Sequence, residues 1–264
     1  MTLSRVVRSF RDYDKTAMTA LLAYNNRHVA TDYRFEPIRN KHIPQLMDLS
    51  RGFFEDESVT AATGSTIDNC RKAMEYVFAY TIAAHTVSDI SQICYENATN
   101  KPVGFRLAHP IYRDPTNAPF AVPEPTLDQQ ETSLLTPLDN TMSKIWDIYP
   151  EEEVVYKGEV VYLDRKYRKA GIYQVWMEYD LDLQRIAKET GANLYASLCT
   201  ARQTKGWFKK LGYQIVYTSS PYVTDASGDL KRLPQGEIHL AVADMHNQTS
   251  IDVKPFWKAA GLVN

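Results

Sequence analysis

Glu159-Val160-Val161-Tyr162-Leu163-Asp164-Arg165-Lys166-Tyr167-Arg168-Lys169-Ala170-Gly171-Ile172 is the stretch on which the reading of this chain turns. Residues 159–163 are mostly β-branched and aromatic, as a strand requires. The polar loop 164–170 follows, and 171–190 reads as a helix. Trp176, Met177, Leu181, Leu183, Ile186 and Ala187 give that helix one apolar face, and Gly191 is its C-cap candidate. The turn between strand and helix offers consecutive backbone N–H groups, one glycine and the cations Arg168 and Lys169. Such a turn at a helix start is a cradle for an anion.

Working outward, residues 193–198 form another strand, 201–211 a helix, and Gly212 stops it. Residues 213–217 and 237–243 read as paired final strands across the 225–235 loop. Upstream, 33–38 alternates apolar and polar side chains as a first strand. Residues 39–54 place Ile43, Leu46, Met47, Leu49, Phe53 and Phe54 at helical spacing, with Pro44 tolerable in the first turn. A second helix is expected over 65–85, capped by Ser65 or Thr66. Residues 89–95 and 102–109 make a hairpin around Asn97-Ala98-Thr99-Asn100-Lys101. The proline-rich and acidic stretch 112–136 reads as a surface loop, and 138–148 as one further helix before Tyr149-Pro150. The alternation of strands and helices makes this one α/β domain, residues 33–245, with an N-terminal extension 1–32 and a C-terminal tail 246–264. Within that tail Phe256 and Trp257 are candidates for docking.

Composition narrows the function classes. The 264 residues suffice for a sizeable core, and 44% hydrophobic with 23% charged content is ordinary for a globular protein. A formal net charge of −2 provides no field for nucleic acid or an anionic membrane surface. No apolar stretch approaches the ~20 residues that span a bilayer. Cys70, Cys94 and Cys199 are odd in number and lack metal-ligand spacing, so a reducing, cytoplasmic compartment without a bound metal is expected. The extension carries Arg5, Arg8, Arg11, Lys15 and Arg27, but Asp12 and Asp14 break a transit-peptide pattern. None of the six histidines lies in a motif.

Arg168-x-x-Gly171-Ile172 after a strand, followed by Phe208-x-x-Leu211-Gly212-Tyr213, resembles the GNAT superfamily of N-acetyltransferases. The resemblance implies a mixed sheet of about seven strands in which parallel strands 4 and 5 splay apart, flanked by helices. It also implies acetyl-CoA as cosubstrate, with pyrophosphate on the turn formed by Arg168, Lys169, Ala170, Gly171, Ile172 and Tyr173. Leu163 would offer backbone groups to the pantetheine arm. The family turn usually reads Arg/Gln-x-x-Gly-x-Gly/Ala; Tyr173 stands at its last position, where the backbone N–H can still donate.

A narrower likeness rests on Phe53-Phe54-Glu55-Asp56-Glu57, Asp147-Ile148-Tyr149-Pro150-Glu151-Glu152-Glu153 and Leu198-Cys199-Thr200. These resemble stretches of the insect-type arylalkylamine N-acetyltransferases, the dopamine N-acetyltransferase group. In that group's pattern Glu57 occupies the general-base position, with Ser58 in place of the usual proline. Acetyl transfer needs a neutral amine, and a carboxylate can remove the ammonium proton directly or through water. Thr200 and Thr204 match two serine positions near the reacting thioester, where a hydroxyl stabilises developing negative charge or hands a proton to the thiolate. Thr200 is equally placed to be an N-cap for the helix at 201. Asp56 reads as structural or as a contributor to a negative site. Phe208 stands where many superfamily members carry a tyrosine general acid, and it cannot donate a proton.

No cysteine or serine sits in a nucleophile motif, so direct attack in a ternary complex is expected. The implied acceptor is a small primary amine of the dopamine, tyramine or serotonin type. A polyamine, an amino acid, a longer acyl donor, or coenzyme binding without turnover are the alternatives.

Overall fold

The computed structural model describes residues 27–168, 170–174, 176, 183–210, 212–225, 227–233 and 236–246. Lys169, Met177, Leu181, Phe256, Trp257, most of the N-terminal extension and all of the tail beyond His246 lie outside the described residues.

The chain opens with helix α1 (Arg27–Asp32) and strand β1 (Tyr33–Pro37), then a 3-10 turn (Asn40–His42) and α2 (Ile43–Asp56). Short α3 (Ser58–Thr63) and α4 (Arg71–Ala84) precede the hairpin β2 (Gln92–Glu96) and β3 (Lys101–Tyr112). Next come α5 (Gln129–Met142), α6 (Lys144–Ile148), β4 (Val154–Leu163), α7 (Ile172–Gln174), α8 (Leu183–Thr190), β5 (Leu194–Cys199) and α9 (Arg202–Lys210). Strands β6 (Gln214–Ser219), β7 (Tyr222–Thr224), β8 (Leu230–Arg232) and β9 (Ile238–Asp244) complete it.

Seven strands form one sheet in the order β1-β2-β3-β4-β5-β9-β6, and β8, inside the expected 225–235 loop, pairs with β7 just before it as a separate two-stranded ribbon. All neighbours in the large sheet are antiparallel except β4 and β5, which run parallel. Their ladder covers only Tyr156↔Tyr195, Lys157↔Ala196 and Gly158↔Ser197. Beyond it β4 continues to Leu163 and β5 to Cys199, so the two strands splay as the sequence implied.

Two expected helices are redrawn. The helix expected over 65–85 starts only at Arg71, and α3 precedes it. Thr66 N–H donates to Asn69 Oδ1 (2.6 Å) and Asn69 N–H to Thr66 Oγ1 (3.3 Å), closing a turn that competes with helix. Gly64, at φ +67°, ends α3 in the left-handed conformation. Further on, the surface loop expected over 112–136 ends at Asp128. Asp128 Oδ1 accepts from Glu131 N–H (2.9 Å) and Glu131 Oε2 from Asp128 N–H (3.0 Å), a capping box that starts α5 at Gln129 and carries it through Pro137. The single helix expected over 138–148 is therefore the end of α5 plus α6.

Helices α2 to α5 cover one face of the sheet around Leu46, Phe78, Phe105, Leu107, Leu134 and Tyr162. Burying Phe78 alone is worth about 1.5–3 kcal/mol relative to exposure. Gly52 lets α2 lie against β4, because a Cβ there would sit 1.9 Å from the Tyr162 hydroxyl. The other face packs Tyr156 and Tyr195 against Leu183, Ile186, Phe208 and Tyr213.

Candidate active site

The basic turn is held from below. Arg106 is wholly buried on β3, donating to Ile90 O (2.7 and 3.2 Å) and to Trp176 O (2.5 Å). The Trp176 indole N–H reaches Gln92 Oε1 at 3.1 Å, and Ile172, Tyr167 and Leu163 pack around its buried ring. These contacts fix the start of the helical segment relative to β3 and β4. Gly171 turns the chain at φ +79°, a conformation that L side chains rarely adopt. The following N–H groups begin α7, where no intrahelical acceptor exists for them.

Two of the cations around the turn, Arg165 and Arg168, are already engaged. Asp56, at the end of α2, takes the Arg165 guanidinium (Nε at 2.9 Å) and also that of Arg168. Arg168 Nε donates to Leu163 O at 3.0 Å, and Ala170 N–H to Tyr167 O at 3.0 Å. Burial raises the Asp56 pKa, but the two guanidiniums outweigh it and hold the carboxyl below the ordinary range. Asp56 is thus structural, as the sequence suggested, and it ties the helix preceding Glu57 to the turn.

Where β4 and β5 diverge, a cleft of about 180 Å³ opens between them and helices α2 to α5. Glu57, Thr200, Thr204 and Tyr173 all line it, with Phe53, Phe54, Met74, Val77, Leu134 and Leu138 as apolar walls. Glu57 N-caps α3: its Oε2 accepts from Val59 N–H (2.6 Å) and Thr60 N–H (3.0 Å). Among the described residues Oε1 has only the Ser58 hydroxyl, at 3.4 Å, which it shares with the closer acceptor Thr200 O at 3.0 Å. Ser58, which replaces the usual proline, thereby bonds the base candidate's loop to the end of β5. Thr200 Oγ1 and Thr204 Oγ1 make no hydrogen bond among the described residues, so neither hydroxyl is committed to capping α9. Tyr173 is packed into the cleft wall, and burial pushes its phenol well up. Phe208 is buried against Tyr213, 4.6 Å between ring centroids.

No protein-family model matches the chain. Solved structures do. A mosquito arylalkylamine N-acetyltransferase like 5b superposes with TM-score 0.61 at 16% identity, over 80% of this chain and 99% of that one. The chain has the GNAT fold. A Drosophila melanogaster polyamine N-acetyltransferase, which catalyses the formation of N-acetylagmatine, gives TM-score 0.59 at 17% identity, covering 81% and 100%. The C-terminal condensation domain of Ebony in complex with β-alanyl-dopamine gives 0.58 at 13%, covering 80% and 98%.

Within the GNAT fold, the splayed strands suit acetyl-CoA on physical grounds. Backbone groups of β4 after Gly158 have no ladder partner on the β5 side, so an extended chain with amides could pair there. Among the described residues no group of three or more His, Cys, Asp or Glu is placed to hold a metal ion. The three cysteines are free and buried, and burial pushes Cys199 up to about 12.

The sequence reading missed the charges in the cleft. Lys157 and Glu159 line it, 2.5 Å apart, and His109 Nε2 lies 3.2 Å from the same Glu159 oxygen. Burial alone would raise Glu159; Lys157 and His109 outweigh it and pull the carboxyl down to about 2. Burial lowers Lys157, but Glu159 and Asp139 overcome that and keep it cationic. A carboxylate held this low is a weak base, unsuited to deprotonating an amine. The register explains its position: Leu107 pairs Val160 while Ala108 pairs Gly158, so Glu159 is the extra residue of a β-bulge. A Lys-x-Glu spacing on a β-rich segment was the only available signal.

Proposed function

We propose that this chain is an acetyl-CoA-dependent N-acetyltransferase acting on a small primary amine, with an arylalkylamine as the leading acceptor. One observation carries the reading: the cleft at the β4–β5 splay brings Glu57 together with Thr200 and Thr204, which lie far from it along the chain. The solved structures of arylalkylamine and polyamine N-acetyltransferases with the same fold support it.

Acetyl-CoA would supply the activated acetyl group, with its pyrophosphate at the turn of Arg168, Ala170, Gly171, Ile172 and Tyr173 and its pantetheine along the unpaired side of β4 near Leu163. Glu57 would take the ammonium proton of the acceptor on Oε1, since Oε2 is held by two backbone N–H groups. The neutral amine then attacks directly. Thr200 and Thr204 hydroxyls, free to rotate, would donate to the oxygen or sulfur that gains negative charge. A covalent route through Cys199 is disfavoured, because a buried thiol raised to about 12 is not a thiolate at neutral pH. The leaving thiolate has no tyrosine acid at Phe208 and would be protonated by threonine or water.

A polyamine acceptor is the second reading, favoured by the likeness to the polyamine enzyme and by the carboxyls of Asp139 and Glu159 beside the cleft. Free cysteines and the absence, among the described residues, of any helix long and apolar enough to cross a membrane support a cytoplasmic location. The test is thiol release from acetyl-CoA by the purified protein with tyramine, dopamine, serotonin, agmatine and spermidine. Turnover with an arylalkylamine that collapses in Glu57→Gln supports the assignment. Coenzyme binding without acetylation of any amine would overturn it.

A further inference from the structure

The cleft has two polar ends, and only one takes part in the proposed chemistry. Lys157 and Glu159 form the other. Among the described lining residues they and Glu57 are the only charged side chains. Lys157 stands level with Ala196 on β5, four residues before Thr200, or roughly 13 Å at the usual strand rise. Glu57 is at the Thr200 end, joined to it through Ser58. Between the two ends the walls are Phe53, Phe54, Met74, Val77, Leu134 and Leu138, suited to an apolar ring.

The buried pair is held but not saturated. Glu159 Oε2 takes both Lys157 Nζ and His109 Nε2, and the His109 ring is backed by Tyr80 at 4.4 Å between centroids. Glu159 Oε1 has no partner among the described residues, and Lys157 Nζ has donors beyond the one used on Glu159. A donor and an acceptor thus stand side by side at the end of an apolar slot.

We propose that Lys157 and Glu159 read a ring hydroxyl on the acceptor amine, the hydroxyl donating to Glu159 Oε1 and accepting from Lys157 Nζ. This rests on the acetyltransferase reading above and selects among its acceptors. A hydroxyl satisfies both groups of a neutral ion pair. A second ammonium would meet the Lys157 cation, and a carboxylate would meet Glu159 with Asp139 close behind. In a para-hydroxyphenethylamine the nitrogen and hydroxyl oxygen are about 8 Å apart from ordinary covalent geometry. That is shorter than the roughly 13 Å of strand between the two ends, leaving the remainder to side-chain reach.

The experiment compares kcat/KM of the full chain for tyramine, phenethylamine, 4-methoxyphenethylamine and agmatine. Tyramine is expected to exceed phenethylamine by at least about tenfold, since a site built to bond a hydroxyl rejects the analogue lacking it. The methoxy analogue, which keeps the acceptor but loses the donor, is expected to fall toward phenethylamine, and this arm needs no variant. In the charge-neutral double variant Lys157→Met, Glu159→Gln, checked for folding by thermal unfolding, the tyramine to phenethylamine ratio is expected to approach one. Equal wild-type rates for tyramine and phenethylamine, or agmatine preferred over tyramine, overturn the hydroxyl site and leave acetyl transfer standing. So does a folded double variant that keeps the tyramine preference. Acetylation of none of the four amines overturns both readings.

Discussion

The basic turn after β4 and the acceptor cleft beside it share one strand, yet they are built by opposite means. At the turn, local chemistry does the work: one glycine at φ +79°, a helix start, and cations within a few residues. In the cleft, local contacts are joined to partners remote in the chain. Glu57 meets β5 through the Ser58–Thr200 hydrogen bond, across 142 residues. Glu159 meets His109 from β3 and sits near Asp139 from α5. The contrast teaches that a glycine turn at a helix start is a short-range device, whereas the set of polar groups facing the cleft is a long-range one. Even the turn has long-range elements, the Asp56 clamp on Arg165 and Arg168 and the Arg106 and Gln92 contacts to Trp176 beneath it.

The largest expected effect breaks the cleft by stranding a charge. Lys157→Met alone leaves the Glu159 carboxylate buried without its closest partner. It should lower stability by about 3 kcal/mol in urea unfolding, with most of that recovered in Lys157→Met, Glu159→Gln. Next is Glu57. Glu57→Gln should reduce kcat/KM for an arylalkylamine by about 100-fold while the amide oxygen still caps α3. Glu57→Ala should add a loss of about 1 kcal/mol from the missing cap, visible as a lower thermal midpoint. Unchanged kcat/KM in Glu57→Gln would falsify the base assignment.

At the turn the expected effects are smaller. Gly171→Ala forces a side chain into the left-handed region, at about 1 kcal/mol of strain, and coenzyme A binding by calorimetry should weaken with it. If binding is untouched, the turn is not the anion cradle. The smallest effect appears only in acid. Glu159, held at about 2 against an ordinary 4.5, contributes stability that is complete above 4.5 and lost as pH falls toward 2. The double variant should therefore show a shallower loss of stability than wild type over that window, measured by urea midpoints at stepped pH.

Much of this was legible because it is written in short-range patterns. Strands β1, β2, β3, β5, β6 and β9 follow alternation or β-branched runs, and Gly191 and Gly212 mark helix stops, both at positive φ. The misread segments were decided by side chains bonding to nearby backbone. Thr66 and Asn69 close a turn where apolar spacing alone suggests helix, and the Asp128–Glu131 capping box starts α5 in a stretch that proline and acid content mark as loop. The site divides likewise. The Gly171 turn was visible in the residues themselves, and Glu57, Thr200 and Thr204 through the resemblance to the insect-type group. Lys157, Glu159 and His109 were not, since nothing in their neighbours along the chain announces that they meet.

By itself the sequence determined the α/β class and the strand–turn–helix with its glycine, because these depend on residue type at fixed local spacing, while the candidate base and hydroxyls came from the resemblance to a known family. Only the tertiary structure decided which charges face the amine cleft. Strict alternation would put Lys157, Glu159 and Val161 on one face of β4. The bulge at Glu159 breaks that phase, so Lys157 shares its face with Val160 and Tyr162, and the Glu159 carboxylate turns toward Lys157 and His109. A bulge is set by how two paired strands fit their registers, and that fit exists only once the strands have met.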